Sequence, residues 1–386
     1  MGEQRKPKQV AVVYRLDAPG GVQSCAFSLI KGLNRVGILP DILWDIEPKW
    51  SLLAAAGAQA RFRKIRFAVP SQVIDQLPYS LRYLVLTANQ VNGDRFRQDY
   101  DFFYIFYNGF FIANGTPHVR YMPGPPLLPQ LQNVSPGLRG VPFRTFRWIY
   151  QQFLRKISPV YEYHAGGNYV TISQFTSAMF QEAYRVNLPV ISPPIDLDGR
   201  NFESTDLAQR DTIMFFSRIV DYKRPEVLLE LADRYPKMRC VIMGGVTPHR
   251  MPYFLSLQEV ARQRNLRNVE FLENPSNQVV REELARARFY IFPTRNEHFG
   301  MTTAEAIASG AIPFVHDSGG QIEIVVDPRL RFNDAELLGK FDDLLQISEA
   351  ELSEIRQKLL VHVQGYSEDV FIEKMLSFME TADDPA

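Results

Sequence analysis

The segment at residues 289–326 constrains the fold of this chain more than any other stretch. It begins with a short apolar run that contains the β-branched Ile291 and stops at Pro293, as is typical of a buried strand in a parallel sheet. Apolar residues then recur at spacings of three and four through 301–309, which predicts a helix closed by a glycine. A second apolar run at 311–315 predicts another strand. This order of strand, loop, helix and strand indicates a doubly wound α/β domain.

Two carboxylates lie on either side of the predicted junction between loop and helix. Glu297 belongs to the loop, and Glu305 follows eight residues later in the helix. Gly300 permits a ligand to approach the backbone, and the free N–H groups at a helix start favour a phosphate. Carboxylates accept hydrogen bonds from hydroxyls, so acids on the two sides of a diphosphate can hold a sugar and a ribose. Taken alone, the same pair is equally well explained as a solvated loop residue and an ordinary helix-surface residue.

The spacing of the two glutamates and the motifs NEHFG and HDSGG, at 296–300 and 316–320, resemble retaining GT-B glycosyltransferases of family 4 (glycosyl transferases group 1). The local likeness is to α-1,2-mannosyltransferases that extend lipid-linked oligosaccharides. The resemblance implies an α/β GT-B fold, with two Rossmann-like doubly wound domains facing a cleft and a C-terminal helix that crosses back to the first domain. It also implies that Glu297 contacts donor-sugar hydroxyls and that Glu305 contacts the nucleotide ribose. The implied donor-binding residues between them are His298, Phe299, Gly300, Met301 and Thr302, with the backbone of 299–302 at the distal phosphate.

Two cations follow the strand that is predicted at 212–217. Arg218 and Lys223 lie five residues apart at the strand end, where they can reach one diphosphate. The resembled family has an Arg…Lys pair at this place. The resemblance therefore implies that both stabilise the departing diphosphate, as catalytic residues together with Glu297. The next residue, Arg224, is expected to be exposed.

Two further donor-binding residues are expected after other strands of the same domain. Gly244 closes the strand predicted at 239–243 and would let the backbone approach the donor closely. Asn274 follows the strand predicted at 269–272 and would lie beside the nucleobase.

A strand predicted at 10–14 leads into a loop with two adjacent glycines and then a helix. Gly20 and Gly21 are a weak sign of a phosphate site, because many α/β proteins place glycines at such a turn. The pattern is not G-x-G-x-x-G, so a Rossmann dinucleotide site has little support. In the resembled family this loop faces the cleft near donor and acceptor, which implies donor contacts for the two glycines and cleft positions for Arg15 and Asp17.

The proline-rich loop after the next predicted strand departs from the family pattern. The resembled mannosyltransferases carry His-x-Pro there, facing the reaction centre, whereas this chain has Tyr121, Met122 and Pro123. Its histidine comes earlier, at His118. His118 and Tyr121 are kept as acceptor-side or cleft candidates, beside the alternative that a lone histidine in a strand is a structural residue.

The sequence predicts an acceptor-binding Rossmann-like domain at 1–195, a nucleotide-sugar-binding Rossmann-like domain at 196–366 and a C-terminal helix at 367–386 that returns to the first domain. Two adjacent prolines stiffen the link between the domains. Asp196 and Asp198 formally match a D-x-D metal motif. They fall in this link, however, and GT-B enzymes generally need no metal, so no metal and no other cofactor are expected.

Charge is unevenly distributed along the chain, although its net value is zero. Residues 1–195 carry 21 basic and 11 acidic residues, a net charge of +10, and the remainder carries 22 and 32, a net charge of −10. This indicates an anionic partner for the first half, such as a phosphate-bearing acceptor or a membrane surface, and no nucleic-acid-binding motif accompanies it. Residues 143–157 place Arg144, Arg147 and Arg155 on one helical face. That pattern favours either an interfacial helix on anionic lipid or a helix packed on the first domain's sheet.

The two cysteines and the apolar segments bear on the compartment. Cys25 and Cys240 lie in apolar patterns and are expected to be reduced, which favours the cytosol. The first residues show no apolar signal region, and the longest apolar patch, 102–113, is too short to span a bilayer. A cytoplasmic protein is therefore expected, with the inner face of a membrane as a further place of contact.

Together these features predict a retaining, metal-independent hexosyltransferase of polysaccharide or glycan biosynthesis. It would move a hexose from a nucleotide sugar, a UDP-sugar such as UDP-glucose or GDP-mannose, to a saccharide or lipid-linked acceptor. Two alternatives stay open. A GT-B sugar-nucleotide epimerase would need catalytic acids in the first domain's cleft, where no clear set is found, and a non-catalytic nucleotide-sugar binder would bind the donor without transfer.

Overall fold

The computed structural model describes residues 9–18, 20–77, 85, 89, 91–106, 110–112, 117–125, 168–197, 207 and 210–381. It divides the chain into two units. Unit 1 comprises Met1–Pro194 and Glu368–Ala386, and unit 2 comprises Ile195–Ser367. The amphipathic segment at 143–157 lies outside the described residues.

Parallel strands of mostly apolar residues form the centre of unit 1. Its described strands are β1 Val10–Val13, β2 Asp41–Trp44, β3 Arg61–Lys64, β4 Val91–Asn92, β5 Phe102–Ile105, β6 Phe110–Phe111, β7 His118–Met122 and β8 Asn168–Thr171. Six of them form one parallel sheet in the order β3-β2-β1-β5-β7-β8, and β4 pairs with β6 alone. All four residues of β1 are buried, as a central parallel strand requires. The basic β3 lies at the edge of the sheet, and both of its end residues, Arg61 and Lys64, are exposed.

Helices connect the strands of unit 1. They are α1 Gly21–Arg35, α2 Trp50–Ala55, α3 Ser71–Gln76 and α4 Gln174–Tyr184. Helix α4 begins with a capping box, in which the Ser173 hydroxyl accepts the Thr176 N–H and the Thr176 side chain accepts the Ser173 N–H.

Unit 2 has the same architecture, a parallel sheet whose strands are connected by helices. Its strands agree more closely with those predicted from the sequence. Its strands are β9 Thr212–Phe216, β10 Arg239–Gly244, β11 Val269–Glu273, β12 Ala287–Phe292, β13 Ile312–His316 and β14 Arg331–Phe332. They form a parallel sheet in the order β11-β10-β9-β12-β13-β14. Its described helices are α5 Val227–Arg234, α6 Met251–Gln263, α7 Asn277–Arg286, α8 Met301–Ala308, α9 Gln321–Ile324, α10 Leu337–Leu345 and α11 Glu349–Val363.

The chain returns to unit 1 as helix α12, Glu368–Thr381, which packs against α1. Polar contacts at its start fix the register of the two helices. Glu368 accepts a hydrogen bond from Ser28 and pairs with Lys31, and Asp369 pairs with Arg35. Gly32 makes the approach possible, because a Cβ there would lie 2.4 Å from a methyl carbon of Ile372.

Both sheets have the doubly wound order, which confirms the predicted α/β fold class. In each, the first strand of the unit lies at the centre and the chain winds outward from it in two directions. The reversal falls between β1 and β5 in unit 1 and between β9 and β12 in unit 2. Ligands of such sheets bind at the carboxyl ends of the strands beside this reversal. Within the described part of the chain, no helix is both long and apolar enough to cross a bilayer.

Candidate functional site

The predicted catalytic residues of unit 2 follow the two strands that flank its reversal point. Strand β9 ends at Phe216, and Arg218 and Lys223 come after it. Strand β12 ends at Phe292, and Glu297 comes after it, ahead of helix α8. Because β9 and β12 are hydrogen-bonded neighbours, their carboxyl ends open at one edge of the sheet.

Lys223 and Glu297 form an ion pair at this edge. The Lys223 side chain is 10% exposed, and its Nζ donates to Glu297 Oε2 and lies 5.0 Å from the centre of the Phe292 ring. The main chain is braced as well, because the Thr294 hydroxyl donates to the Lys223 carbonyl at 3.3 Å. Burial alone would raise the pKa of Glu297, but the charge and hydrogen bond of Lys223 hold it below its ordinary value. Glu297 is therefore a carboxylate at neutral pH.

Arg218 lies at the surface, next to the same pair. Its Nη2 donates to the Tyr222 hydroxyl at 2.9 Å, and the face of the Tyr222 ring lies 5.6 Å from Lys223 Nζ. Tyr222 thus contacts both cations of the predicted diphosphate site. The following residue differs from expectation. Arg224 is half-buried rather than exposed, because it pairs with Asp334 at 2.6 Å and donates to the Pro293 carbonyl at 3.0 Å.

The turn after β13 shapes the loop that carries Glu297. The Gly320 N–H donates to the Glu297 carbonyl at 2.6 Å. Gly319 has φ +78°, and a Cβ there would lie 2.4 Å from the same carbonyl oxygen. The main chain of the HDSGG motif therefore packs directly against the NEHFG loop and fixes its position.

Helix α8 begins beside this loop. Gly300 has φ +108°, a left-handed conformation that favours glycine, and Phe299 is buried edge-on against Tyr366 at 5.2 Å between ring centres. His298, Met301 and Thr302 are half-buried. The Thr303 and Ala304 N–H groups donate to the Gly300 carbonyl, and the start of the helix follows the carboxyl end of β12, where a phosphate is favoured.

Tyr290 of β12 is buried beneath the start of α8 and hydrogen-bonds to it. Its hydroxyl is 2.9 Å from the Phe216 carbonyl and 2.7 Å from the Thr302 hydroxyl. Burial holds the pKa of Tyr290 well above its ordinary value, and the charges of Glu305 and Glu297 add to this effect. Sequence reasoning missed Tyr290, which is one apolar residue among several in its strand.

Gly244 and Asn274 make close contacts within unit 2, and their contacts with a donor stay predictions. A Cβ at Gly244 would lie 1.6 Å from the Ser217 carbonyl oxygen, so main chain fills the space on the side where a side chain would project. Asn274 accepts the Val246 N–H at 2.9 Å and donates to the Val246 carbonyl at 3.2 Å. Its amide braces the end of β10.

The cleft candidates of unit 1 form an ionic cluster after β1. Arg15 donates through Nε and Nη2 to the two carboxylate oxygens of Asp17, both at 2.6 Å, and through Nη1 to Asp75 at 2.8 Å. Asp75 comes from α3, and no sequence signal singled it out. Gly20 and Gly21 lie at the start of α1, where the Gly20 carbonyl accepts the Ser24 N–H. Their donor contacts stay predictions.

Tyr121 and His118 are corrected from acceptor candidates to core residues. Tyr121 is 1% exposed, donates to the Ile191 carbonyl at 3.0 Å and packs edge-on against Phe371. Burial holds the pKa of its hydroxyl well above the ordinary value. His118 is also buried, opposite Phe103 in the sheet. The burial of both side chains favours the structural alternative over contact with an acceptor.

No group of three or more His, Cys, Asp and Glu side chains among the described residues is placed to hold a metal ion. Asp198, one half of the D-x-D match, lies outside the described residues.

Residues 200–345 match the family described as glycosyl transferases group 1. Among curated relatives, alpha-1,3/1,6-mannosyltransferase alg2 of Schizosaccharomyces pombe is 24% identical over 210 residues, which cover 44% of this chain and 41% of that protein. The D-inositol 3-phosphate glycosyltransferase of Jonesia denitrificans is 32% identical over 148 residues, which cover 35% and 34%. The chain thus spans less than half of the length of these relatives.

Solved structures resemble the chain over nearly its whole length. A glycosyltransferase from Rickettsia africae has a TM-score of 0.69 at 16% identity and covers 99% of this chain and 100% of its own. Anabaena HepE in complex with UDP and glucose has a TM-score of 0.68 at 16% identity, with 96% and 99% covered. At these identities the likeness shows the fold, which is the GT-B fold that the sequence predicted.

Proposed function

We propose that this protein is a retaining glycosyltransferase that takes a hexose from a nucleotide sugar, a proposal that the match of residues 200–345 to glycosyl transferases group 1 supports. The observation that carries the proposal is the Lys223–Glu297 ion pair at the reversal point of the unit 2 sheet, beside the start of α8. The alternative of a binder without transfer is tested below.

The ion pair can serve the phosphate and the sugar of one donor. A lysine ammonium has three donors, so the bond from Lys223 to Glu297 leaves donors for a phosphate oxygen. A carboxylate has two oxygens, so Glu297 keeps one to accept hydrogen bonds from sugar hydroxyls. Arg218 adds a second cation, the N–H groups of α8 add uncharged donors, and Glu305 is assigned to the ribose.

The proposed reaction replaces one bond to the anomeric carbon on the same face of the sugar. The bond between that carbon and the phosphate oxygen breaks, and its electron pair leaves with the diphosphate. The acceptor oxygen bonds to the carbon, and its proton passes to the leaving phosphate oxygen. Lys223 and Arg218 stabilise the charge that develops on the diphosphate, so these residues supply the electrostatic role that a metal ion would otherwise have.

The donor class is proposed as a UDP-sugar or GDP-mannose and the acceptor as a saccharide or a lipid-linked saccharide. The mannosyl- and inositol phosphate glycosyltransferases among the relatives support a glycan-building role. Contact of residues 143–157 with a membrane is part of the same proposal. Flotation with anionic liposomes tests it, and binding unaffected by changing Arg144, Arg147 and Arg155 to Glu would contradict it.

The deciding experiment measures binding and transfer on one preparation. Calorimetry and thermal shift with UDP, GDP, UDP-glucose and GDP-mannose, each with and without EDTA, should show one nucleotide class raising the unfolding midpoint. EDTA should change neither affinity nor midpoint. Mixed saccharide acceptors with the labelled donor should then yield a glycoside that keeps the donor's anomeric configuration. Binding without transfer or hydrolysis would favour the non-catalytic binder, and absence of all binding would refute the assignment.

A further inference from the structure

The turn after β13 contains a chain of hydrogen bonds that ends next to Glu297. His316 closes the strand and is 8% exposed, and its Nδ1 lies 2.8 Å from Ser318 Oγ. Ser318 Oγ also accepts the Asn296 N–H at 2.9 Å. Asn296 has φ +52° and immediately precedes Glu297. One hydroxyl group thus connects a buried histidine to the residue that turns the backbone into the proposed sugar site.

The neighbours of each group in this chain determine whether it donates or accepts its hydrogen bond. The Asn296 N–H can only donate, so it takes one lone pair of Ser318 Oγ. His316 Nε2 faces the Asp334 carboxylate at 3.8 Å, which favours the tautomer that carries its proton on Nε2. Nδ1 is then an acceptor and receives the Ser318 hydroxyl proton.

The charged groups around His316 come from several elements. Asp334, ahead of α10, and Asp317, beside the histidine, favour its protonated form, whereas Arg224 and Arg295 oppose it. Asp334 is already paired with both arginines. Burial, assisted by the two arginine charges, holds the pKa of His316 below its ordinary value of 6.5. A proton added to Nδ1 would leave the Ser318 hydroxyl without its acceptor.

The same turn holds the loop at a second position. Gln321 Nε2 donates to the Thr294 carbonyl at 2.9 Å and to the His316 carbonyl at 2.7 Å. Together with the bond from Gly320 to Glu297, this ties Thr294, Asn296 and Glu297 to the turn. The course of the loop is therefore fixed by the state of the turn.

We propose that His316 and Ser318 are positioning residues that hold the Glu297 carboxylate toward the sugar of a bound nucleotide sugar. The inference rests on the proposed function. It adds that a change at His316 should weaken binding of the sugar and affect the nucleotide much less, because the chain ends at Asn296, the residue before Glu297, and not at Lys223 or Arg218.

The test compares the affinities of a nucleotide sugar and of its parent nucleoside diphosphate. By calorimetry, Ser318→Ala and His316→Leu should weaken binding of the nucleotide sugar about three- to tenfold, the net contribution of one hydrogen bond, and change binding of the diphosphate less than about twofold. His316→Asn keeps an amide acceptor near the position of Nδ1 and should recover most of the loss.

Ser348→Ala is the matched control. Ser348 Oγ also accepts one backbone N–H, that of Glu351 at the start of α11, but it has no contact with the loop of Glu297. Both affinities should stay at their wild-type values in this variant, while its stability falls about as much as that of Ser318→Ala.

A pH titration of the wild-type protein provides a second measure. Affinity for the nucleotide sugar, whose diphosphate has no group titrating in this range, should hold at neutral pH and fall as the pH is lowered below about 6.5, because the lowered pKa of His316 delays its proton uptake. The fall should be absent in His316→Asn.

Equal losses for sugar nucleotide and diphosphate, or no loss, would overturn the inference and leave the proposed function standing. A wild-type protein that binds no nucleotide would overturn both. If the leucine variant does not fold, the wild-type titration and the asparagine variant decide the question.

Discussion

The Lys223 ammonium group is held among the rings of Tyr222 and Phe292, largely removed from water. A buried charge is stable only when it is paired, and Glu297 is the partner of Lys223. A bound diphosphate would be a second anionic partner for the Lys223 ammonium group, which is already desolvated and held in position. For this reason Lys223 should contribute more to donor affinity than an exposed lysine of the same unit.

Lys223→Ala is expected to weaken binding of the nucleoside diphosphate about 10- to 100-fold, since a hydrogen bond to a charged group contributes about 1.5–3 kcal/mol. Turnover should fall far more than stability. Calorimetry and an unfolding curve on the same sample measure both effects. Lys237→Ala, at an exposed position, is the control and should bind like wild type.

The single variant leaves Glu297 without its lysine, so Lys223→Ala combined with Glu297→Gln separates lost affinity from the effect of an unpaired carboxylate. Equal affinities of Lys223→Ala and Lys237→Ala would contradict the assignment of Lys223.

Sequence reasoning at the residue scale identified single residues but not their pairing. Lys223 and Glu297 were each predicted, from a strand end and from a motif, yet they are 74 positions apart. Their contact depends on β9 and β12 being neighbours, which no local pattern specifies. The same limit hid the contact of Asp75 with Arg15 and the burial of Tyr121, which was predicted as an acceptor-side or cleft residue.

At the scale of elements, glycine decides how closely two segments approach. Gly244 ends β10 against the Ser217 carbonyl, at the start of the loop that carries Arg218 and Lys223. Gly319 packs in the same way against the Glu297 carbonyl, in the loop that carries Glu297. Around the proposed donor site, main chain thus packs on main chain at both glycines. A methyl group added at either position would displace a loop and not merely a side chain.

Gly244→Ala is expected to destabilise unit 2 by about 1–3 kcal/mol, because the new Cβ overlaps backbone that cannot rotate away. The matched control is Gly339→Ala in α10, where a Cβ meets nothing within 4 Å. That change should stabilise by about 0.5–1 kcal/mol, since glycine weakens a helix interior. Chemical denaturation of both variants gives the two values, and effects of the same sign would contradict the packing argument.

Strands and helices could be predicted from the sequence where the apolar runs were long. Strand β12 and helix α8 agree with the pattern to within two residues, and Gly310, at φ +80°, ends the helix region as expected. The β4–β6 pair was not predicted, because two residues per strand are too few for a periodicity.

On the scale of the whole molecule, unit 1 is completed by a helix that follows unit 2 in the chain. Phe371, Ile372 and Met375 of α12 are buried, and Tyr104 donates to the Met375 carbonyl at 3.2 Å. The core of unit 1 therefore includes residues from both ends of the described chain.

Phe371→Ala should destabilise unit 1 by about 3–5 kcal/mol, the usual effect of removing a buried aromatic ring. Hydrogen exchange followed by peptide should show faster exchange in β1, β5 and β7, with the strands of unit 2 unchanged. Val361→Ala in α11, at a side chain 73% exposed, serves as control. Faster exchange in both units would show that α12 supports the protein as a whole.

The return of α12 also sets an order of events during synthesis. As the chain leaves the ribosome, all of Ile195–Ser367 emerges before Glu368 does. Unit 2 can reach its final structure while unit 1 still lacks a helix of its core, although unit 1 was translated first. During this interval the α1 surface of the nascent first unit stays uncovered. This is the stage of synthesis at which chaperones would engage the protein.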